Sequence, residues 1–108
     1  MADDDLIYGL ARRHYLELAG VFGRYSHVQK VMIFGSRAKG TEKPYSDIDL
    51  AVIAPEMDSV EFSRLLDELE SLDLVFKLDV LHFETLTLQK LSDAIKQHGK
   101  EFYPSYGK

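Results

Sequence analysis

The stretch FGSRAKGTEKPYSDIDLAVI, residues 34–53, decides how this chain is interpreted. It opens with the pair Gly35 and Ser36 and closes in an apolar run that two carboxylates, Asp47 and Asp49, interrupt. Side chains alternate between the faces of a strand, so both carboxylates point the same way, about 6.6 Å apart along the chain. Like charges this close repel, and placing them in a strand costs stability unless cations offset them. The stretch therefore indicates a functional site built on a strand.

Two segments rich in β-forming residues flank the Gly–Ser pair. Residues 28–34 are predicted to form one strand, and residues 46–54 a second strand that Pro55 stops. The connection between them is too short for a helical crossover, so the two strands are not expected to be parallel neighbours. Three apolar side chains of the second strand alternate with the aspartates and are expected to enter the core: Ile48, Leu50 and Val52.

Helical periodicity accounts for much of the remaining chain. Apolar residues recur with helical spacing over residues 4–25, 58–72 and 86–98, which predicts three helices. Asp58 and Glu61 have the spacing of a capping box at the start of the second helix.

Two further strands complete the predicted fold. Residues 76–83 form an apolar run of strand length with Asp79 in its middle, and Lys100–Tyr103 follows Gly99, a natural helix stop. The order α-β-β-α-β-α-β predicts an α/β fold, in which helices flank a mixed β-sheet. We expect a single domain over residues 1–108, because this length gives no room for a second, substrate-binding domain.

Composition narrows the classes of function. The chain has 45% hydrophobic and 29% charged residues, as ordinary globular proteins do, and no cysteine, which rules out disulfides and thiolate metal sites. A net charge of -5 argues against a broad electrostatic contact with nucleic acid. The first ten residues are acidic, unlike a secretion signal, and no apolar run is long enough to predict a membrane span. A cytoplasmic location is the expectation.

Acidic side chains concentrate between residues 58 and 73. Six acids accompany the single base Arg64 in this span: Asp58, Glu61, Asp67, Glu68, Glu70 and Asp73. A solvated helix exterior explains this pattern, and a docking surface for a basic partner explains it as well. The aromatic segment EFYPSY, residues 101–106, is a second candidate contact surface.

The aspartates can offer a metal ion only oxygen ligands, and no histidine or cysteine lies nearby in the sequence. This donor set favours Mg²⁺ or Mn²⁺ over zinc. An isolated Asp-x-Asp at a strand end is more often solvent-exposed than metal-binding. Asp79 favours the metal-binding interpretation, because it too lies within a predicted strand. If that strand lies beside the second one, Asp47, Asp49 and Asp79 converge on a site for two metal ions.

The Gly–Ser turn is a candidate phosphate site. Gly35 permits close backbone approach, and Ser36 is expected to cap a short helical turn whose exposed N–H groups suit an anion. Arg37 and Lys39 would lie within reach of a polyphosphate, with Arg37 the better candidate for a bidentate contact. Lys39 and Lys43 can equally be ordinary solvated lysines. The sequence matches neither a Walker A loop nor a dinucleotide-binding glycine motif.

Together these features resemble the signature of the DNA polymerase β-type nucleotidyltransferase superfamily. The shared pattern is a Gly–Ser pair, a spacer, Asp-x-Asp and a distant third carboxylate, here Asp79 in KLDVL. The chain is most similar to the minimal nucleotidyltransferases, from its first helix to HGKEFY at residues 98–103. Many relatives carry Arg where this sequence has Lys39. The lysine keeps the positive charge but cannot make the bidentate contact of an arginine.

The resemblance implies a role for each matching position. Asp47 and Asp49 would ligate the metals, and Asp79 would complete the site and accept the proton of the attacking hydroxyl. Gly35 and Ser36 would hold the β- and γ-phosphates of a nucleoside triphosphate, with ATP the expectation at the family level. Attack on the α-phosphorus would release pyrophosphate.

The resemblance also implies a partner. Minimal nucleotidyltransferases are commonly paired with a separate helical HEPN protein, which the nucleotidyltransferase adenylylates as an antitoxin. Two other functions stay open: a small-molecule nucleotidyltransferase of the aminoglycoside-modifying type, with a helical partner or as a homodimer, and a partner-binding module with vestigial catalysis. An intact trio of carboxylates favours an enzyme over the binding module.

Overall fold

The computed structural model describes residues 6–106 of the chain. Its centre is one four-stranded sheet in the order β3-β2-β1-β4. The strands are β1 Lys30–Phe34, β2 Ile48–Ile53, β3 Leu78–His82 and β4 Lys100–Tyr103. β1 is antiparallel to both β2 and β4, whereas β2 and β3 are parallel. The predicted mixed sheet is confirmed, and the first two strands are antiparallel, which agrees with the expectation that they are not parallel neighbours.

Helices connect the strands and cover the sheet. They are α1 Arg12–Gly23, α2 Ser36–Lys39, α3 Ser59–Glu70 and α4 Gln89–His98, with a 3-10 turn at Phe83–Thr85. α2 occupies only part of the short β1–β2 connection, whereas α3 lies in the crossover between the parallel strands β2 and β3. Within residues 6–106, no helix is long and apolar enough to cross a membrane.

The core lies between one face of the sheet and the pair α1 and α3. Ile48, Leu50 and Val52 of β2 are fully buried there, as the alternation predicts. By the same alternation, Asp49 points to the opposite face of the sheet. Ile95 of α4 packs on that opposite face, where it lines a cavity of about 270 Å³ with Met32 and Ile53. The aspartate is therefore kept out of the core by strand geometry alone.

The first helix was predicted to begin too early. α1 begins at Arg12, and a turn precedes it in which Ile7 and Leu10 form a bridged backbone pair. Tyr8 and Gly9 have φ values of 54° and 79°, which a right-handed helix does not contain. Ile7 and Leu10 are both buried, so their side chains reproduce a helical spacing from within a turn. The first residues of the predicted helix, 4 and 5, lie outside the described residues.

Candidate functional site

The sheet register brings the predicted carboxylates to one place. β2 and β3 are neighbours, and Asp49 is paired with Asp79 across them. Partners in register share a face of the sheet, and neighbouring strands lie about 4.8 Å apart. Asp47 immediately precedes β2, so it belongs to the same end of the sheet. The sequence could not tell whether the two strands that carry the aspartates are neighbours, and the structure shows that they are.

The carboxylates lie close enough to raise the pKa of one of them. Asp49 is half-buried, and burial raises its pKa above the ordinary value. The negative charges of Asp79 and Asp47 raise this pKa further, while Arg37 and Lys77 oppose the rise. The pKa stays raised on balance, because the nearby positive charges do not offset burial and repulsion. A bound cation would supply the missing compensation.

Gly35 joins the Gly–Ser turn to the carboxylates. Its φ of 74° and ψ of -152° belong to a region that only glycine occupies readily. A Cβ atom added there would collide with the Oδ2 atom of Asp49. Glycine is therefore required twice, once by the backbone and once by the neighbouring carboxylate. The predicted close approach at Gly35 is thus directed at Asp49 of the same site.

The turn itself differs in detail from the prediction. Ser36 is the first residue of α2, and Gly35 occupies the N-cap position without a side-chain cap. Gly40 ends the helix in the left-handed conformation, and its N–H donates to the Ser36 carbonyl. The first N–H groups of a helix have no partner within it. The Ser36 end of α2 thus presents N–H groups beside the carboxylates, the arrangement that suits a phosphate bridged by a cation.

The structure contradicts the predicted contact of Arg37 with a phosphate. Arg37 is only 2% exposed, and its guanidinium donates to backbone carbonyls of the protein. Nε and Nη2 donate to the Ser46 carbonyl at 3.2 and 2.9 Å, and Nη1 donates to the Tyr8 carbonyl at 2.9 Å. The guanidinium also lies over the Phe76 ring, 5.1 Å from its centroid. Its bidentate geometry is used internally, so it is not available to a polyphosphate.

The two lysines near the site differ in position. Lys39 is exposed at the last residue of α2, away from the N-terminal end that faces Asp49. Lys77 was not singled out from the sequence, yet its charge acts on Asp49. Lys77 and Asp79 are two residues apart, so by strand alternation they point to the same face. This two-residue spacing in the sequence could have identified Lys77 as a neighbour of the site.

The donor set suits a hard cation only with help from a ligand. Among residues 6–106, no group of three or more His, Cys, Asp or Glu side chains is arranged to hold a metal ion. Mg²⁺, however, commonly binds one or two carboxylates and completes its shell with water and substrate phosphates. The in-register pair Asp49 and Asp79 meets that requirement, with Asp47 next to it. The residues present fit a divalent cation that arrives with a phosphorylated ligand.

A mixed α/β sheet with a Gly–Ser turn after one strand and aspartates on the next two defines a nucleotidyltransferase-type domain. The chain belongs to the family described as "Polymerase beta, Nucleotidyltransferase", whose model matches residues 17–105. Members of this family generally use divalent metal ions.

Relatives of known description agree with this assignment. The chain is 43% identical over 56 residues to a probable protein adenylyltransferase MntA of Haemophilus influenzae, a match that covers 51% of this chain and 49% of the relative. The matched part is thus about half the length of that curated relative.

Solved structures share the fold. A toxin–antitoxin crystallised with AMP-PNP has a TM-score of 0.67 at 24% identity, covering 84% of this chain and 73% of the other. A mutant of the MntA–HpeT toxin–antitoxin has a TM-score of 0.62 at 21% identity, covering 89% and 75%. A putative nucleotidyltransferase from Sulfolobus solfataricus has a TM-score of 0.55 at 20% identity, covering 87% and 82%. At these identities the likeness is one of fold.

Proposed function

We propose that this domain transfers a nucleotidyl group, AMP from ATP, to a hydroxyl of a separate partner protein. The observation that carries the proposal is the register pair of Asp49 and Asp79 beside the Gly35 turn. The match to a probable protein adenylyltransferase supports a protein as the acceptor. The toxin–antitoxin structures of the same fold support a helical HEPN-type toxin as the partner and an antitoxin role for this chain.

Each group of residues in the site has its own role in the proposed reaction. The N–H groups at Gly35 and Ser36 bind the outer phosphates, and Asp47, Asp49 and Asp79 hold the divalent cation, Mg²⁺ or Mn²⁺. When bound, the cation supplies charge neutralisation at the phosphates. Asp79 is exposed on an edge strand, so an acceptor hydroxyl can reach its carboxylate. We assign it the role of general base.

The transfer is a single displacement at phosphorus. The acceptor oxygen attacks the α-phosphorus, and the hydroxyl proton passes to the Asp79 carboxylate. The bond between the α-phosphorus and the oxygen that bridges to the β-phosphate breaks, and pyrophosphate leaves with the electron pair. Positioning and charge stabilisation account for most of the catalysis in such reactions.

The first test is calorimetric titration of Mg-ATP into the wild-type chain and into an Asp47→Asn, Asp49→Asn double variant. We expect binding by the wild type and its loss in the double variant. Asp93→Asn is the matched control, since Asp93 is an exposed carboxylate on α4 whose contact is with Gln89. Equal binding by the double variant would contradict the metal-dependent site.

The second test identifies the acceptor. ATP labelled at the α-phosphate is incubated with the chain and a co-purified partner, and in parallel with aminoglycosides. Label on the partner protein supports the proposal, whereas label only on the small molecule indicates the aminoglycoside-modifying type. Binding of the partner without any transfer indicates a binding module. Ser36→Ala separates the subsites, because it should weaken triphosphate binding more than binding of Mn²⁺ alone.

A further inference from the structure

Arg37 is the one charged side chain among the fully buried residues that the structure describes, and the reaction proposed above gives it no task. Burial of a charge is costly, and an apolar side chain of similar volume is often more stable in such a place. Burial accordingly lowers the pKa of Arg37, although the carboxylates of Glu42 and Asp49 oppose this. A buried guanidinium with all its contacts inside the protein calls for an explanation.

Its contacts lie on three segments that are far apart in sequence. The guanidinium donates two hydrogen bonds to the carbonyl of Ser46, the residue directly before Asp47. Its flat face lies over Phe76, which precedes β3 and its Asp79. Its third hydrogen bond goes to the Tyr8 carbonyl, in the turn before α1. Arg37 itself sits in α2, one residue after Ser36.

The Tyr8 turn is built closely around the guanidinium. At Gly9, an added Cβ atom would lie 2.8 Å from Nη1 of Arg37 and 2.9 Å from Oε2 of Glu42. Both groups therefore approach the backbone of this turn more closely than a side chain at Gly9 would allow. The guanidinium is thus fixed by directional contacts on several sides.

We propose that Arg37 is a positioning residue, whose guanidinium fixes the backbone that carries the aspartates of the site. The inference rests on the proposed function for its consequence, but its geometry stands independently. The two hydrogen bonds orient the peptide between Ser46 and Asp47, and the contact with Phe76 sets the start of β3 against it. Charge alone cannot do this, because lysine lacks the planar fork that reaches one carbonyl with two N–H groups.

The test compares Arg37→Ala and Arg37→Lys with the wild type by hydrogen exchange. The reporter is the N–H of Ile48, which donates to the Lys77 carbonyl at 2.9 Å and joins β2 to the segment before β3. We expect both variants to accelerate exchange of peptides covering residues 45–49 and 76–79 by about tenfold or more. Exchange of α3 should stay unchanged. The control Arg24→Ala removes an exposed guanidinium bound to Glu68 and should leave both peptides unchanged.

A second readout links the geometry to the site. Binding of Mn²⁺ in the presence of ATP, followed by electron paramagnetic resonance, should weaken by about tenfold or more in Arg37→Ala and in Arg37→Lys, as happens when a ligand loses its support. Millimolar methylguanidinium should restore binding and slow exchange in Arg37→Ala, because it can refill the space of the missing fork.

Each outcome decides the matter. Wild-type exchange in Arg37→Ala overturns the proposal, and so does full recovery in Arg37→Lys, which would assign the effect to charge. Equal acceleration over the whole chain also overturns it, since that is the mark of a general loss of stability. If the wild type binds no Mn²⁺ even with ATP present, the proposed function fails, while the exchange data still decide whether Arg37 positions these segments.

Discussion

At Asp49 a half-buried carboxylate lies between a glycine and a second aspartate, and burial together with Asp79 and Asp47 raises its pKa. A raised pKa in the folded state means that folding favours the protonated form. The contribution of Asp49 to stability is then fully present below its ordinary pKa and is lost as the pH rises through the raised value. At neutral pH the ionised group is a cost to the fold.

The first prediction concerns Asp49→Asn. We expect this variant to lose metal-dependent transfer by about 100-fold or more, because charge stabilisation by a cation is worth several kcal/mol. We also expect a higher Tm than that of the wild type at pH 7, and an advantage that shrinks as the pH falls through the raised pKa of Asp49 and is smallest below the ordinary pKa of aspartate. Thermal unfolding at several pH values and a transfer assay check this. A variant that unfolds, or one that stays fully active, would contradict the role of Asp49.

The second prediction concerns Gly35→Ala. We expect a loss of stability of about 1–3 kcal/mol, because alanine is strained at this φ and ψ and its Cβ atom would meet Asp49. Gly40→Ala is the matched control, since Gly40 also has a positive φ, 76°, but no atom within 4 Å of an added Cβ. Urea denaturation measures both. Equal losses would show that backbone strain alone explains the requirement, without the collision.

At this scale the sequence predicted that the aspartates and the glycine lie close together, but it did not predict the burial of Arg37. Strand alternation and the Gly–Ser turn are local patterns, so residues 34–53 contain them. The fate of Arg37 depends on Tyr8 and Phe76, which only the tertiary structure brings near it. A charged side chain after a phosphate turn is expected to face the ligand, and only burial shows otherwise.

Among the elements, the strands were predicted more closely than the start of the first helix. Each predicted strand contains the observed one, and β4 is the same at both ends. Where a predicted strand is longer, the extra residues lie at its ends, as in Ser46 and Asp47 before β2. Periodicity detects burial and not hydrogen bonding, so the buried turn at Ile7–Leu10 was taken for helix.

The third prediction tests the start of α3. Asp58 accepts a hydrogen bond from the Glu61 N–H at 2.8 Å, which confirms half of the predicted capping box. The Glu61 side chain does not return to Asp58 but contacts Nδ1 of His27 at 2.8 Å. Asp58→Ala should therefore cost about 1 kcal/mol of stability, as loss of an N-cap does. Asp67→Ala, at an exposed position within the same helix, should change it by less than about 0.5 kcal/mol in urea denaturation.

For the molecule as a whole, side chains near the start of the described chain hold its last strand. Tyr15 of α1 donates a buried hydrogen bond to the Phe102 carbonyl at 2.8 Å, and Tyr8 donates to the Glu101 carbonyl at 2.6 Å. The rings of Tyr15 and Phe102 are also in contact, with centroids 4.8 Å apart. These contacts join the two ends of the described chain and do not involve the aspartates.

The fourth prediction concerns Tyr15→Phe. We expect a loss of about 1–2 kcal/mol, because the Phe102 carbonyl would remain buried without its donor. Tyr45→Phe is the control: Tyr45 is 79% exposed, and its change should be below about 0.5 kcal/mol. Chemical denaturation of both variants makes the comparison. An unchanged Tyr15→Phe would mean that ring packing alone holds α1 to β4.

The pairing of β1 with β4 has a consequence for the synthesis of this protein. β1 meets β2 soon after it emerges from the ribosome, but its other edge stays open until residues 100–103 have been made. Contacts so distant in sequence form slowly, and an unpaired apolar strand is prone to join another chain. During translation the nascent chain thus carries an open edge at Val31 and Ile33. Truncation before β4 would leave that edge exposed and make the product a target for aggregation and degradation.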